Sequence, residues 1–182
     1  MADNQLRVGE AIIDLLAREY GVDVVFGIPG VHNIELYRGL HRSGVRAISP
    51  RHEQGAGFMA DGWSIVTGRP GVCVLISGPG ITNVMTPIAQ AYHDSRPMFV
   101  LASTTPTNAL GKSFGPLHDL PDQSAIVQNL SEQSAFDKFH DDKRGAALIS
   151  VAVSGYLFAS IVNSHDGGVS HASRGLGLLA KT

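Results

Sequence analysis

Two short apolar runs, each cut off by a glycine-proline turn, limit what this chain can fold into more than any other feature. Val24-Val25-Phe26 stops at Gly27-Ile28-Pro29-Gly30, and Val72-Cys73-Val74-Leu75-Ile76 stops at Ser77-Gly78-Pro79-Gly80. Unbroken apolar runs of this kind suit strands buried on both faces, as in a parallel sheet. Parallel neighbours need crossovers, and helical stretches lie where the crossovers would be. Leu6 to Tyr20 carries an apolar stripe at Leu6, Val8, Ala11, Ile12, Leu15 and Leu16, with Gly21 placed to end it. Asn33 to Leu40 reads as the helix after the first turn, with Asn33 as its N-cap. Val45 to Ser49 reads as a second strand, closed by Pro50, which has no amide hydrogen to extend a ladder, and Gln54 to Thr67 as its helix. A helix containing Ile88, Ala89, Ala91 and Tyr92 follows the second glycine turn, and Pro97 to Ala102 makes a fourth strand. The alternation predicts an α/β fold with a doubly wound parallel sheet. Its post-strand loops gather on one edge, where such sheets bind ligands.

The 182 residues are expected to form one domain with a substantial core. Lys and Arg number 14 against 16 Asp and Glu, so the chain has no basic footprint for nucleic acid or for an anionic membrane. A small molecule or another protein chain is the expected partner. Cys73, the single cysteine, lies inside an apolar run and reads as a buried structural thiol. No basic segment followed by an apolar run opens the chain, so a cytoplasmic location without a secretory signal is expected. Gly145 to Val162 contains no charged residue but is rich in Gly, Ser and Ala. That composition predicts a buried helix or strand pair there rather than a membrane span.

Arg51-His52-Glu53-Gln54-Gly55-Ala56 places one carboxylate at the turn from the second strand into its helix. The helix begins with small residues, Ala56, Gly57, Ala60 and Gly62, which leave room for close approach to the backbone. The topology sets Glu53 beside both glycine turns, whose amides and helix N-termini can face a ligand. A lone Glu here would only stabilise a helix start, and a lone Gly-Pro pair would only make a turn. Familiar nucleotide motifs do not account for the three together. Asn83 stands where a dinucleotide fingerprint needs its third glycine, and Gly111-Lys112-Ser113 lacks the upstream glycine of a phosphate loop. The histidines and carboxylates show no metal-ligand spacing, so no metal site is expected on this chain.

Phe26-Gly27-Ile28-Pro29-Gly30, Arg51 to Ala56, Ala60-Asp61-Gly62, Thr67-Gly68, Ser77 to Asn83 and Asp94-Ser95-Arg96-Pro97 form an ordered series. From about Leu6 to Phe136 the chain resembles the N-terminal pyrimidine-binding domain of thiamine diphosphate enzymes, in particular acetolactate synthase large subunits and 2-oxo acid decarboxylases. The resemblance implies a three-layer, flavodoxin-like domain. It also implies that Glu53 hydrogen-bonds the cofactor's aminopyrimidine ring and shares a proton with it, which activates the thiazolium carbon for attack on a 2-oxo acid. Pro29 and Gly30 would pack against the pyrimidine, and Gly78 and Asn83 would form a further wall. His52 lies in the motif, either on the substrate side or as a cap. Phe114 to Gln123 occupies the place of a Phe-Gln-Glu loop in acetolactate synthases but differs from it, leaving His118 and Gln123 as polar candidates on the substrate side and a plain decarboxylase open.

Members of that family bind the diphosphate and its magnesium on another domain through a Gly-Asp-Gly motif followed by Asn, a pattern absent from these 182 residues. Thiamine diphosphate is therefore the expected cofactor, with magnesium expected only on a missing or partner domain. After about Asp141 the resemblance ends in an atypical segment, 141–182, whose poor periodicity suggests a truncated or frameshifted product, or else a subunit completed by a partner chain. Three functions stay open: the pyrimidine-binding half of an oligomeric decarboxylase or synthase, inactive alone; a non-catalytic fragment; or a flavodoxin-like module for another small ligand.

Overall fold

The computed structural model describes residues 7–106, 109, 112, 115–128 and 130, with the backbones of two further strands at Gln133–Asp137 and Ala146–Val153. In chain order the elements are α1 (Val8–Tyr20), β1 (Val24–Gly27), α2 (Ile34–Ser43), β2 (Arg46–Ile48), α3 (Glu53–Thr67), β3 (Gly71–Leu75), α4 (Pro79–His93), β4 (Met98–Pro106), α5 (Gln123–Gln128), β5 (Gln133–Asp137) and β6 (Ala146–Val153). The six strands form one sheet in the order β2-β1-β3-β4-β6-β5. The first four run parallel, and β6 lies antiparallel to both β4 and β5.

Alternation along the strands divides the core into two layers, as side chains on a pleated strand point to opposite faces. Val25, Val72, Val74, Phe99 and Leu101 meet Ile12, Ile13 and Leu16 of α1 and Leu36 and Leu40 of α2. On the other face Val24, Phe26, Cys73, Leu75, Met98, Val100 and Ala102 meet Ala56 and Ala60 of α3 and Ile81, Val84 and Ile88 of α4. Helices on both faces of a parallel sheet make the three-layer α/β arrangement. The sheet is dense where it matters for the site. A Cβ on Gly71 would lie 2.0 Å from the Ala60 carbonyl oxygen, so α3 rests directly on the start of β3.

Two local features differ from the sequence expectation. Only Arg46–Ile48 of the expected Val45–Ser49 strand is extended, and all three residues are exposed, because β2 is an edge strand with one neighbour; Val45, just ahead of it, is the buried residue. Asn33 occupies the N-cap position of α2, yet its side chain makes no cap bond. It turns back into the preceding loop, where Oδ1 accepts from Gly30 N at 2.7 Å and Nδ2 donates to Ile28 O at 3.0 Å. The uncharged run from Gly145 contributes β6 over Ala146–Val153; the remainder of it, and Phe114 of the substrate-side loop, lie outside the described residues. Cys73 is buried as expected, and burial pushes its thiol up to about 12.

Candidate functional site

Each residue of the site is placed by the end of a parallel strand. Pro50 and the extended backbone of His52 end the β2 segment, and α3 begins at Glu53, with the exposed His52 ring capping it by accepting from Gln54 N at 3.2 Å. β3 ends one residue before Ile76. The chain then turns at Gly78, in a left-handed conformation (φ 62°), and Pro79 opens α4 with the preset φ of a first helical residue. Asn83 follows one turn into α4. These two helix starts meet: Asn83 Nδ2 donates to Glu53 Oε2 at 2.9 Å. Among the described residues Oε1 takes no hydrogen bond, and the half-buried carboxylate presents that oxygen beside Gly80, whose added Cβ would stand 4.0 Å from it.

The loop after β1 closes the other side. A Cβ on Gly30 would meet Ile76 Cδ1 at 2.3 Å, and one on Gly80 would meet Ile76 Cγ2 at 2.7 Å, so this single side chain spaces the two glycine turns. The same loop brings His32, whose Nδ1 lies 2.9 Å from Ser77 Oγ. The turn at Gly78 is held from behind: its amide donates to Gln123 Oε1 at 2.9 Å, while Gln123 Nε2 donates to Ser103 O at 3.0 Å. His118 presses on the turn as well, since a Cβ on Gly78 would stand 2.5 Å from the His118 carbonyl oxygen. The His32 and His118 rings are 6.2 Å apart. Burial, then the charge of His118, lowers the pKa of His32.

All the residues expected from sequence fall within this region except His52, which stands outward as a cap. Glu53 and Asn83 are joined by a hydrogen bond, Gly30 packs on Ile76 and Gly78 on His118, Pro29 is exposed in the first turn, and both polar ends of the Gln123 amide are engaged by backbone. Sequence reasoning missed His32 and Ser77. Ser77 was visible as part of the glycine motif, but nothing in the spacing announces that a loop 45 residues earlier would supply its partner. It also missed why two of the quoted motifs recur together. Arg96 Nε lies 2.7 Å from Asp61 Oδ1, and Arg96 also pairs with Asp94, so the Ala60-Asp61-Gly62 and Asp94-Ser95-Arg96-Pro97 segments form one ion cluster behind α3.

A carboxylate-amide pair thus lies between two glycine turns at the carboxyl edge of a doubly wound sheet, the edge at which such sheets bind ligands. The chain belongs to the family of thiamine pyrophosphate enzymes, over whose N-terminal TPP binding domain it matches at residues 6–133. It is 56% identical over 130 residues to a probable 2-ketoarginine decarboxylase of Pseudomonas aeruginosa, a match covering 71% of this chain and 23% of that protein. It is 45% identical over 166 residues to an acetolactate synthase of Mycobacterium bovis, covering 90% of this chain and 26% of the relative. The acetolactate synthase catalytic subunit of Saccharomyces cerevisiae is 43% identical over 104 residues, which are 57% of this chain and 15% of that subunit. The chain thus spans about a quarter or less of the length of these relatives.

Proposed function

We propose that this chain binds the aminopyrimidine ring of thiamine diphosphate between the Gly30 and Gly80 turns, as the pyrimidine-binding part of an enzyme that decarboxylates or joins 2-oxo acids. The observation that carries the reading is the Glu53 carboxylate, fixed at Oε2 by Asn83 and left open at Oε1 on the side of Gly80. An aminopyrimidine offers ring nitrogens and an exocyclic amine to such a slot, and the two glycines keep its walls free of side chains. Glu53 exchanges a proton with a ring nitrogen at Oε1, while Asn83 keeps the carboxylate from rotating. Pro29 lines the mouth, and Gln123 holds the Gly78 amide in place from behind. His118 faces the substrate side, and His52 caps α3. When bound, thiamine diphosphate supplies the nucleophilic carbon that attacks the 2-oxo acid. The diphosphate and its magnesium are assigned to a separate domain, so this chain alone is inactive, and assembly with a second copy is part of the reading.

The test is titration of the chain with thiamine diphosphate, followed by amide NMR shifts. The expected result is a shift confined to Gly30, Glu53, Gly80 and Asn83 that is lost in Glu53→Ala, with the rest of the spectrum unchanged. A wild-type spectrum indifferent to excess thiamine diphosphate, or shifts centred elsewhere, would overturn the reading.

A further inference from the structure

Among the glycines of the two turns only Gly78 has a positive φ, so the backbone itself does not demand glycine at Gly30 or Gly80. What leaves no room for a side chain at either is one residue. The three atoms nearest an added Cβ on Gly30 are Cδ1, Cγ1 and Cβ of Ile76, at 2.3, 3.3 and 3.7 Å, and the atom nearest one on Gly80 is Ile76 Cγ2 at 2.7 Å. Ile76 thus sends a different arm to each turn. Because it branches at Cβ, the angle between the arms is set by the side chain itself and χ1 is stiff, although the Cδ1 end can still turn about χ2. At 9% exposure the residue is packed within the protein.

We propose that Ile76 is a positioning residue of the crevice: its two arms set the gap between the Gly30 and Gly80 turns, and with it the seat of a ligand ring against Glu53 Oε1. That the ligand is an aminopyrimidine rests on the function proposed above; the spacing rests on the contacts alone. Neither turn is free to back away from Ile76. Asn33, 1% exposed, holds the first, with Oδ1 accepting from Gly30 N at 2.7 Å and Nδ2 donating to Ile28 O at 3.0 Å. Gln123 holds the second through the Gly78 amide. Ser77, the residue after Ile76, adds a polar tie between the same two loops, its hydroxyl lying 2.9 Å from His32 Nδ1. Gly80 is also the wall beside the carboxylate, since its added Cβ would stand 4.0 Å from Glu53 Oε1. A change in the gap therefore moves that wall relative to the group that exchanges the proton.

The test is a set of substitutions in the full chain, each read as the Kd for thiamine diphosphate from amide NMR titration and as the urea midpoint without ligand. Ile76→Val removes only Cδ1, and Ile13→Val removes the same group from the α1 layer of the core. Both should lower the urea midpoint, but only Ile76→Val should weaken binding, by at least about threefold. Gly80→Ala should weaken binding at least about tenfold both in wild type and in Ile76→Val, which keep Cγ2, and add little in Ile76→Ala, which lacks it. Gly30→Ala meets the movable Cδ1, so it should cost less than Gly80→Ala and add little in Ile76→Val. Equal binding losses in Ile76→Val and Ile13→Val would overturn the proposal. So would a Gly80→Ala loss undiminished in Ile76→Ala, because its methyl group would then be meeting the ligand itself. Should Gly80→Ala not fold, the comparison of Ile76→Val with Ile13→Val still decides. If wild type ignores thiamine diphosphate, the cofactor reading fails and the urea midpoints judge the spacer: the same pattern of rescue keeps it, and simple additivity overturns it.

Discussion

At the scale of single residues, Glu10 shows how much a carboxylate can do outside the site. Its Oε2 accepts from the Arg7 backbone amide at 3.0 Å, closing the first turn of α1, and its Oε1 meets Arg42 of α2 at 3.1 Å. The Arg7 amide bond, then Arg42, holds its pKa below the ordinary value of 4.5, against the opposing effect of burial. A lowered folded-state pKa means stability that is full above the unfolded value and is lost as the pH falls through the folded one. Glu10→Gln should therefore cost about 1 kcal/mol at neutral pH, and the difference from wild type should close below about pH 4, as measured by urea denaturation across that range. A deficit that persists in acid would assign the effect to packing instead. None of this was legible in the sequence, because Arg42 reaches Glu10 only through the crossing of α1 and α2. Glu53 was legible, since a carboxylate at a strand-to-helix turn between glycine loops stands out locally. Its partner Asn83 was named as a separate wall, and only the fold shows the two as one unit.

Elements were easier to read than their spacing. β1, β3 and β4 are buried on both faces, and unbroken apolar runs announce that directly. β2 is an edge strand, exposed, so its pattern said less about its length. What the sequence could not give is how closely helices approach. A Cβ on Gly57 would stand 2.2 Å from Pro87 Cγ and 2.7 Å from Val84 Cγ2, so α3 and α4 touch at a glycine. These two helices carry Glu53 and Asn83. Gly57→Ala should force them apart, costing about 1–3 kcal/mol and weakening the thiamine diphosphate response while Glu53 and Asn83 are both still present, readable as a lower urea midpoint beside a diminished NMR shift. The Asp61–Arg96 pair braces the same helix from behind, with the two side chains 8% and 24% exposed. Burial raises the Asp61 pKa above 3.8, and Arg96 opposes the rise. Removing Arg96 lets it rise further, so the ionised form costs more at neutral pH and less as acid protonates it. Arg96→Ala is expected to lose about 2–4 kcal/mol at pH 7, less than a fully buried pair would, and to recover towards wild type as the pH is lowered to about 4. A loss independent of pH would show that the arginine stem, and not its charge, supports the helix.

At the scale of the whole molecule the decisive feature is that α3 is apolar on two sides. Its inner side, Ala56, Gly57 and Ala60, is buried against the sheet and α4. Its outer side carries Phe58, Met59, Ile65 and Val66, which at this spacing form a continuous stripe and are 44%, 43%, 58% and 84% exposed. Apolar side chains exposed in such a stripe are normally covered by a partner surface, and no described element of this chain covers them. An uncharged apolar stripe along one helix suits a second copy of the chain packed about a twofold axis, helix against helix. The chain is therefore expected to associate with rising concentration, as sedimentation equilibrium would show. Phe58→Gln with Val66→Gln should weaken that association at least about tenfold, because both side chains lose the apolar area they would bury. Both positions lie outside the core, so the fold and the Glu53–Asn83 pair should survive the change, and the NMR response to thiamine diphosphate measured on the resulting monomer then reports what one copy of the crevice can do alone. A wild-type chain that remains monomeric at every concentration would mean that the covering surface is another protein or another part of a longer polypeptide.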